Sequence, residues 1–190
     1  MKKRTILYVG GFELPDKNAA AQRVLSVAKI FKSIGYNVIF LGIDKTIDTK
    51  ISIEETKREY FGFESWAIPY PKNKKEWIKH ISSADEVEYL INNYYKNDLF
   101  AVIPYNHPFF SQYKIRSLCK KNNAFFIPDS TEWYSAKGKG YIFGLIKWID
   151  TSLRMRYIHC KSDGIIATSD YLANYYKRKK YKSIRTSFDV

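Results

Sequence analysis

The chain has 190 residues, 45% of them apolar and 17% aromatic, with nine glycines and six prolines, a balance that excludes disordered and collagen-like chains and implies a real core. Its formal net charge of +13 is uneven: residues 1–110 carry 16 Lys/Arg against 13 Asp/Glu, and residues 111–190 carry 16 against 6. A field of that sign gathers anions at the second half, whether nucleic acid, acidic lipid headgroups or sugar phosphates, unless it serves solubility alone.

In chain order, the apolar runs RTILYVGG (4–11), NVIFLGI (37–43), LFAVIPY (99–105), AFFIP (124–128) and GIIATS (164–169) are short, rich in β-branched or aromatic residues, and not cleanly alternating. Strands covered on both faces read this way, so these form a parallel sheet. Between them lie helical patterns. Ala19 to Ile34 sets Val24, Val27, Ala28, Phe31 and Ile34 on one stripe and stops at Gly35. Asp85–Lys96 and Pro108–Asn122 follow, and Tyr141–Lys161 is the longest pattern. The stretch 51–77 adds one more strand around Phe63, Trp66 and Ile68. Alternating strand and helix imply a doubly wound, mostly parallel, Rossmann-like α/β fold with right-handed crossovers. No Pro/Gly/Ser linker divides the chain, so residues 1–190 are one domain.

Cys119 and Cys160 lack metal-type spacing, and the apolar run after the basic start is too short for a signal peptide. Both features fit a reduced, cytoplasmic compartment. No window of about 18 apolar residues occurs, because Lys147 and Asp150 break the longest candidate.

Open parallel sheets bind ligands beyond the carboxyl ends of their strands. That rule selects Gly10 and Gly11, Asp44, Asn106 and His107, the segment Asp129 to Glu132, and Ser169. Gly10-Gly11 allows close backbone approach or simply a tight turn; it is not G-x-G-x-x-G, and no P-loop occurs, so no cofactor is expected. Arg23, in the first turns of its helix, is placed to help hold an anion or to be solvated. His107 begins a helix, as a functional or a packing residue. Asp129 and Glu132 form either a capping pair or carboxylates set beside a substrate hydroxyl. His80, His107 and His159 share no ligand spacing, so no metal is expected. On the long helix, Ile142, Leu145, Ile146, Ile149 and Leu153 make a core face. Beside it run an aromatic line (Tyr141, Trp148, Met155) and a basic line (Lys147, Arg154, Lys161), preceded by Lys137 and Lys139. Such lines suit either a solvated face or contact with an anionic membrane surface.

On ILYVGGF, AAAQRVLSVAKIFKSIGYNVIFLG, DSTEWYS and SDGIIATSDYLANYY, the chain resembles the N-terminal domain of the retaining GT-B glycosyltransferases of family 4, which build bacterial surface polysaccharides. The resemblance spans nearly the whole chain. It implies an acceptor-side domain, with Gly10 and Gly11 approaching a nucleotide-sugar donor and Asp129, Glu132 and His107 on the side of a saccharide or lipid-linked acceptor. It also implies residence on the inner face of the membrane. The family's Glu-x7-Glu donor motif has no counterpart here. The resemblance therefore implies half an enzyme, catalytically incomplete alone, as a truncated gene, a separate subunit or an excised domain whose donor-binding C-terminal half lies elsewhere. A catalytically inactive membrane-peripheral or regulatory module of the same fold is the alternative. Nucleic acid is not an expected partner, since no RNP-like, zinc or helix-turn-helix pattern is present.

Overall fold

The computed structural model describes residues 4–131, 141–179 and 183–185. Strand β1 (Thr5–Gly10) is buried along its whole length, as a central strand covered on both faces must be. Its side chains alternate between two cores. Ile6 and Tyr8 join Val24, Val27 and Ala28 of helix α1 (Ala19–Ser33) on one face. Leu7 and Val9 join Val87, Leu90 and Ile115 on the other, contributed by α3 (Asp85–Leu90) and α4 (Phe109–Lys121).

The remaining strands are β2 (Asn37–Asp44), β3 (Arg58–Tyr60), β4 (Phe63–Pro69), β5 (Leu99–Tyr105), β6 (Phe125–Phe126), β7 (Asp129–Ser130), β8 (Ile165–Ala167) and β9 (Ser183–Arg185). With β1 they form one sheet in the order β3-β4-β2-β1-β5-β7-β8-β9, with β6 also on β5, and among the described residues only the β3-β4 pair is antiparallel. The doubly wound, mostly parallel α/β fold is therefore as the sequence indicates. The order reverses between β1 and β5, which leaves a crevice beyond their carboxyl ends.

Helix α1 starts where Asn18 accepts a hydrogen bond from Ala21 N–H at 2.8 Å and stops at Gly35, whose φ of +90° suits a residue without a Cβ. In place of the single strand expected near 63–68, β3 and β4 make a hairpin, with β4 parallel to β2. After it come α2 (Lys74–Ser82), capped by Asn73, and α3. AFFIP supplies only β6, and β7 follows after Pro128, which cannot donate a ladder hydrogen bond.

The long helical pattern is not one helix. Helix α5 (Tyr141–Leu153) passes into a π-helical turn (Arg154–Ile158) and a 3-10 turn (His159–Lys161) before β8, with α6 (Asp170–Arg178) following. Among its described side chains, the expected core face points outward. Leu145 (48% exposed), Trp148 (51%), Ile149 (43%) and Leu153 (37%) face outward, whereas Gly144 and Thr151 are buried. Polar anchoring explains the reversal. The Asp150 carboxylate accepts the Phe109 N–H at 2.8 Å, satisfying a free donor at the start of α4. One turn on, Arg154 Nη1 donates to the His107 carbonyl at 3.5 Å.

Candidate functional site

Strand register sets the rim of the crevice. Gly10 pairs with Tyr105, Tyr105 with Asp129, and Ser130 with Ala167, so loops distant in sequence leave the sheet side by side. Hydrogen bonds stitch them together. Thr131 Oγ1 donates to Asn106 Oδ1 at 3.0 Å, and Thr168 Oγ1 donates to the Thr131 carbonyl at 2.7 Å. Asn106 takes a φ of +49°, a turn conformation that Asn tolerates better than most residues.

At the switch point lies a cavity of about 300 Å³, lined among others by Gly10, Leu41, Ile68, Val87, His80 and His107. The rings of His80 and His107 stand 6.4 Å apart between centroids. Burial pushes the His107 imidazole down to about 3, with His80 and Arg154 adding to the effect; burial lowers His80 as well. Both rings are therefore neutral at physiological pH, so they exchange hydrogen bonds without carrying charge. His107 Nδ1 is buried and has no hydrogen-bond partner. Gln112 Nε2 donates to the His107 carbonyl at 2.7 Å, and Arg154 reaches the same oxygen. The loop is thus held from α4 and from the end of α5.

Asp129 belongs to the same rim but turns away from the cavity. Its carboxylate lies in the α1 layer, where Arg23 Nη2 meets Oδ1 at 2.6 Å and the Tyr8 hydroxyl donates to Oδ2. Burial pushes this carboxyl above its usual range; the Arg23 guanidinium and the Tyr8 hydroxyl pull it back, and a guanidinium at that distance keeps it ionised at neutral pH. Arg23, expected to hold a ligand anion, holds the protein's own carboxylate.

No protein-family model and no curated protein matches the chain. Its site therefore rests on its own geometry.

The two adjacent glycines differ. A Cβ on Gly10 would sit 2.3 Å from the Tyr105 carbonyl oxygen, so this glycine lets β1 and β5 approach, while a Cβ on Gly11 would meet nothing within 4 Å. After Gly11 the loop turns inward. Phe12 is buried and its carbonyl accepts the Ile43 N–H at 2.9 Å. Gly42 makes that passage possible, because a Cβ there would lie 2.7 Å from the Phe12 oxygen. Ser169 caps α6, accepting from Leu172 N–H at 3.3 Å.

Glu132, Lys137 and Lys139 lie outside the described residues. Among the expected surface contacts, Trp148 is exposed and Lys147 half-buried, but Arg154 is only 6% exposed. The basic line is therefore broken at Arg154, because the π-helical turn buries Arg154, Met155 and Ile158, although Lys161 beyond it is exposed. Met155 likewise leaves the aromatic line for the core around Tyr176. Among the described residues, no group of three or more His, Cys, Asp or Glu is arranged to hold a metal, and no helix is long and apolar enough to cross a membrane. His80 escaped selection because it sits on α2, 27 residues from His107, and only tertiary folding makes them neighbours.

Proposed function

We propose that this chain is the acceptor-binding half of a sugar transferase acting in surface polysaccharide assembly. It holds a saccharide or lipid-linked acceptor while a second domain or subunit supplies the nucleotide sugar. The observation that carries the reading is the cavity at the β1/β5 switch point, with Gly10 and His107 on its wall. Its share of catalysis is positioning: a hydroxyl held against neutral imidazoles is fixed in the direction of attack, and that orientation supplies much of the rate of a two-substrate reaction. Cations that stabilise the leaving diphosphate belong to the donor half. Asp129, tied to Arg23 and Tyr8, is a positioning residue for the rim. An array of bacterial surface oligosaccharides probed with labelled protein tests this. Retention of a subset of glycans, lost in His107→Ala, supports the reading. No retained glycan, together with oligonucleotide binding that falls steeply with salt, replaces it with a nucleic-acid function.

The outward apolar stripe of α5 favours a second reading, a membrane-peripheral module on the inner face of the bilayer. Leu145, Trp148, Ile149 and Leu153 lie at helical spacing on one exposed side, in the half of the chain that carries 16 Lys/Arg against 6 Asp/Glu. Thirteen residues make a helix of about 20 Å, shorter than the hydrocarbon core, so it lies on a membrane instead of crossing it. Co-sedimentation with anionic but not zwitterionic vesicles, weakened in a Leu145→Ser/Ile149→Ser variant, is the expected result. Equal recovery with both lipids counts against it.

A further inference from the structure

The lining of the switch-point cavity specifies more than a place for a ligand. Its floor is largely apolar, from Leu41, Ile53, Ile68, Pro69 and Val87 with Thr49 and Thr56 beside them, and its charged groups and histidines gather on the wall formed by α2, α3 and the β5-α4 loop. The charges on that wall are two carboxylates, Glu76 and Glu86, against one ammonium, Lys79. Lys79, its side chain 59% exposed, pairs with Glu86 at 3.2 Å, and Glu76 accepts from the Lys72 N–H at 2.7 Å at the start of α2. The cavity is thus a neutral-to-acidic spot in a chain of net charge +13, and it offers no uncommitted cation among its described lining residues. A phosphate there would face two carboxylates and a single cation already paired with one of them, and a charge taken from water without a partner is costly. The volume of about 300 Å³ is at the low end for small-molecule sites.

We propose that this cavity takes an uncharged glycosyl ring, its C–H face on the aliphatic floor and its hydroxyls against His80 and His107, and that it discriminates against phosphorylated sugars. The proposal rests on the acceptor-side reading and narrows it to a substrate class. His107 Nδ1 is shut off from the cavity, so it is the rest of the His107 ring, together with His80, that lines the wall and meets the ring hydroxyls.

The chain contains three histidines, and the third, His159, is buried against Tyr176 and does not line the cavity, which makes it an internal reference. Imidazole resonances of the isotope-labelled protein are followed by NMR during titration with methyl glucoside, N-acetylglucosamine and glucose 1-phosphate. The expected result is that the two uncharged sugars shift His80 and His107 but not His159, with glucose 1-phosphate at least ten-fold weaker. An Ile68→Trp variant, which fills the floor, loses the response. If glucose 1-phosphate moves the same two histidines as strongly, the neutral-ligand proposal is overturned while the saccharide site stands. If none of the three moves them, the site reading falls with it.

Discussion

Asp129 is the residue on which a functional and a structural role compete most directly. A carboxylate with no exposed side-chain surface, bonded to Arg23 and Tyr8, has no free lone pair directed at the cavity, and its removal acts first on the fold. Breaking a buried pair from one side leaves a bare charge, which costs about 3–5 kcal/mol. Arg23→Ala is therefore expected to lose that much in urea unfolding. Asp129→Asn, which keeps an acceptor for Tyr8, loses less, and the double variant Arg23→Ala/Asp129→Asn recovers part of the Arg23→Ala loss. A loss below about 1 kcal/mol in Arg23→Ala would mean that the pair is solvated and Asp129 available to substrate. The two glycines show the same contrast between role and proximity: Gly10 answers to the Tyr105 backbone and Gly11 to nothing nearby.

At the scale of elements, α1 was legible in the sequence and α5 was not, and the reason is physical. Helix α1 has a single dominant demand, its apolar stripe against the sheet, and periodicity reports that demand for Val24, Val27, Ala28 and Phe31, while Ile34 falls past the helix end and is exposed. For α5, the stripe of Leu145, Ile149 and Leu153 competes with two polar side chains that complete the backbone of the 107–109 loop. Those partners lie about 40 residues away, so no local pattern announces them. The candidate site divides in the same way. Gly10, His107 and the strand ends follow from the α/β rule that ligands bind at carboxyl edges, while His80 and the turn of Asp129 toward α1 depend on which face each side chain takes. The reversal of α5 has a measurable consequence. Leu145→Ser and Ile149→Ser are expected to change stability by no more than about 0.5 kcal/mol, whereas Ile158→Ala, in the π-helical turn and fully buried, costs about 2–5 kcal/mol. Thermal unfolding of the three variants separates the cases, and a large loss in either serine variant would return α5 to the core orientation.

For the whole molecule, the histidines link the fold to pH. Burial lowers His80, brings His107 to about 3, and holds His159 well below its ordinary value. On unfolding, each returns to about 6.5 and takes up a proton that the native state refuses. The unfolded chain then binds more protons, so stability rises with pH and is lost as pH falls below about 6.5. Each histidine that stays neutral in the fold contributes up to about 1.4 kcal/mol per pH unit over that range. Between about pH 6.5 and 5 the carboxylates have barely begun to titrate, so the slope belongs to the imidazoles. At lower pH the contributions divide. Asp129, raised by burial, works in the opposite direction, while the lowered carboxyls of Asp44 and Glu64 add to the loss. Urea midpoints measured in steps across the upper window are expected to fall steadily, and a His107→Gln/His159→Gln variant to show a shallower fall. A wild-type midpoint that stays flat from about pH 7 to 5 would mean that these rings protonate freely in the native state. The cavity wall would then be cationic, and its preference for an uncharged ring would lose its basis.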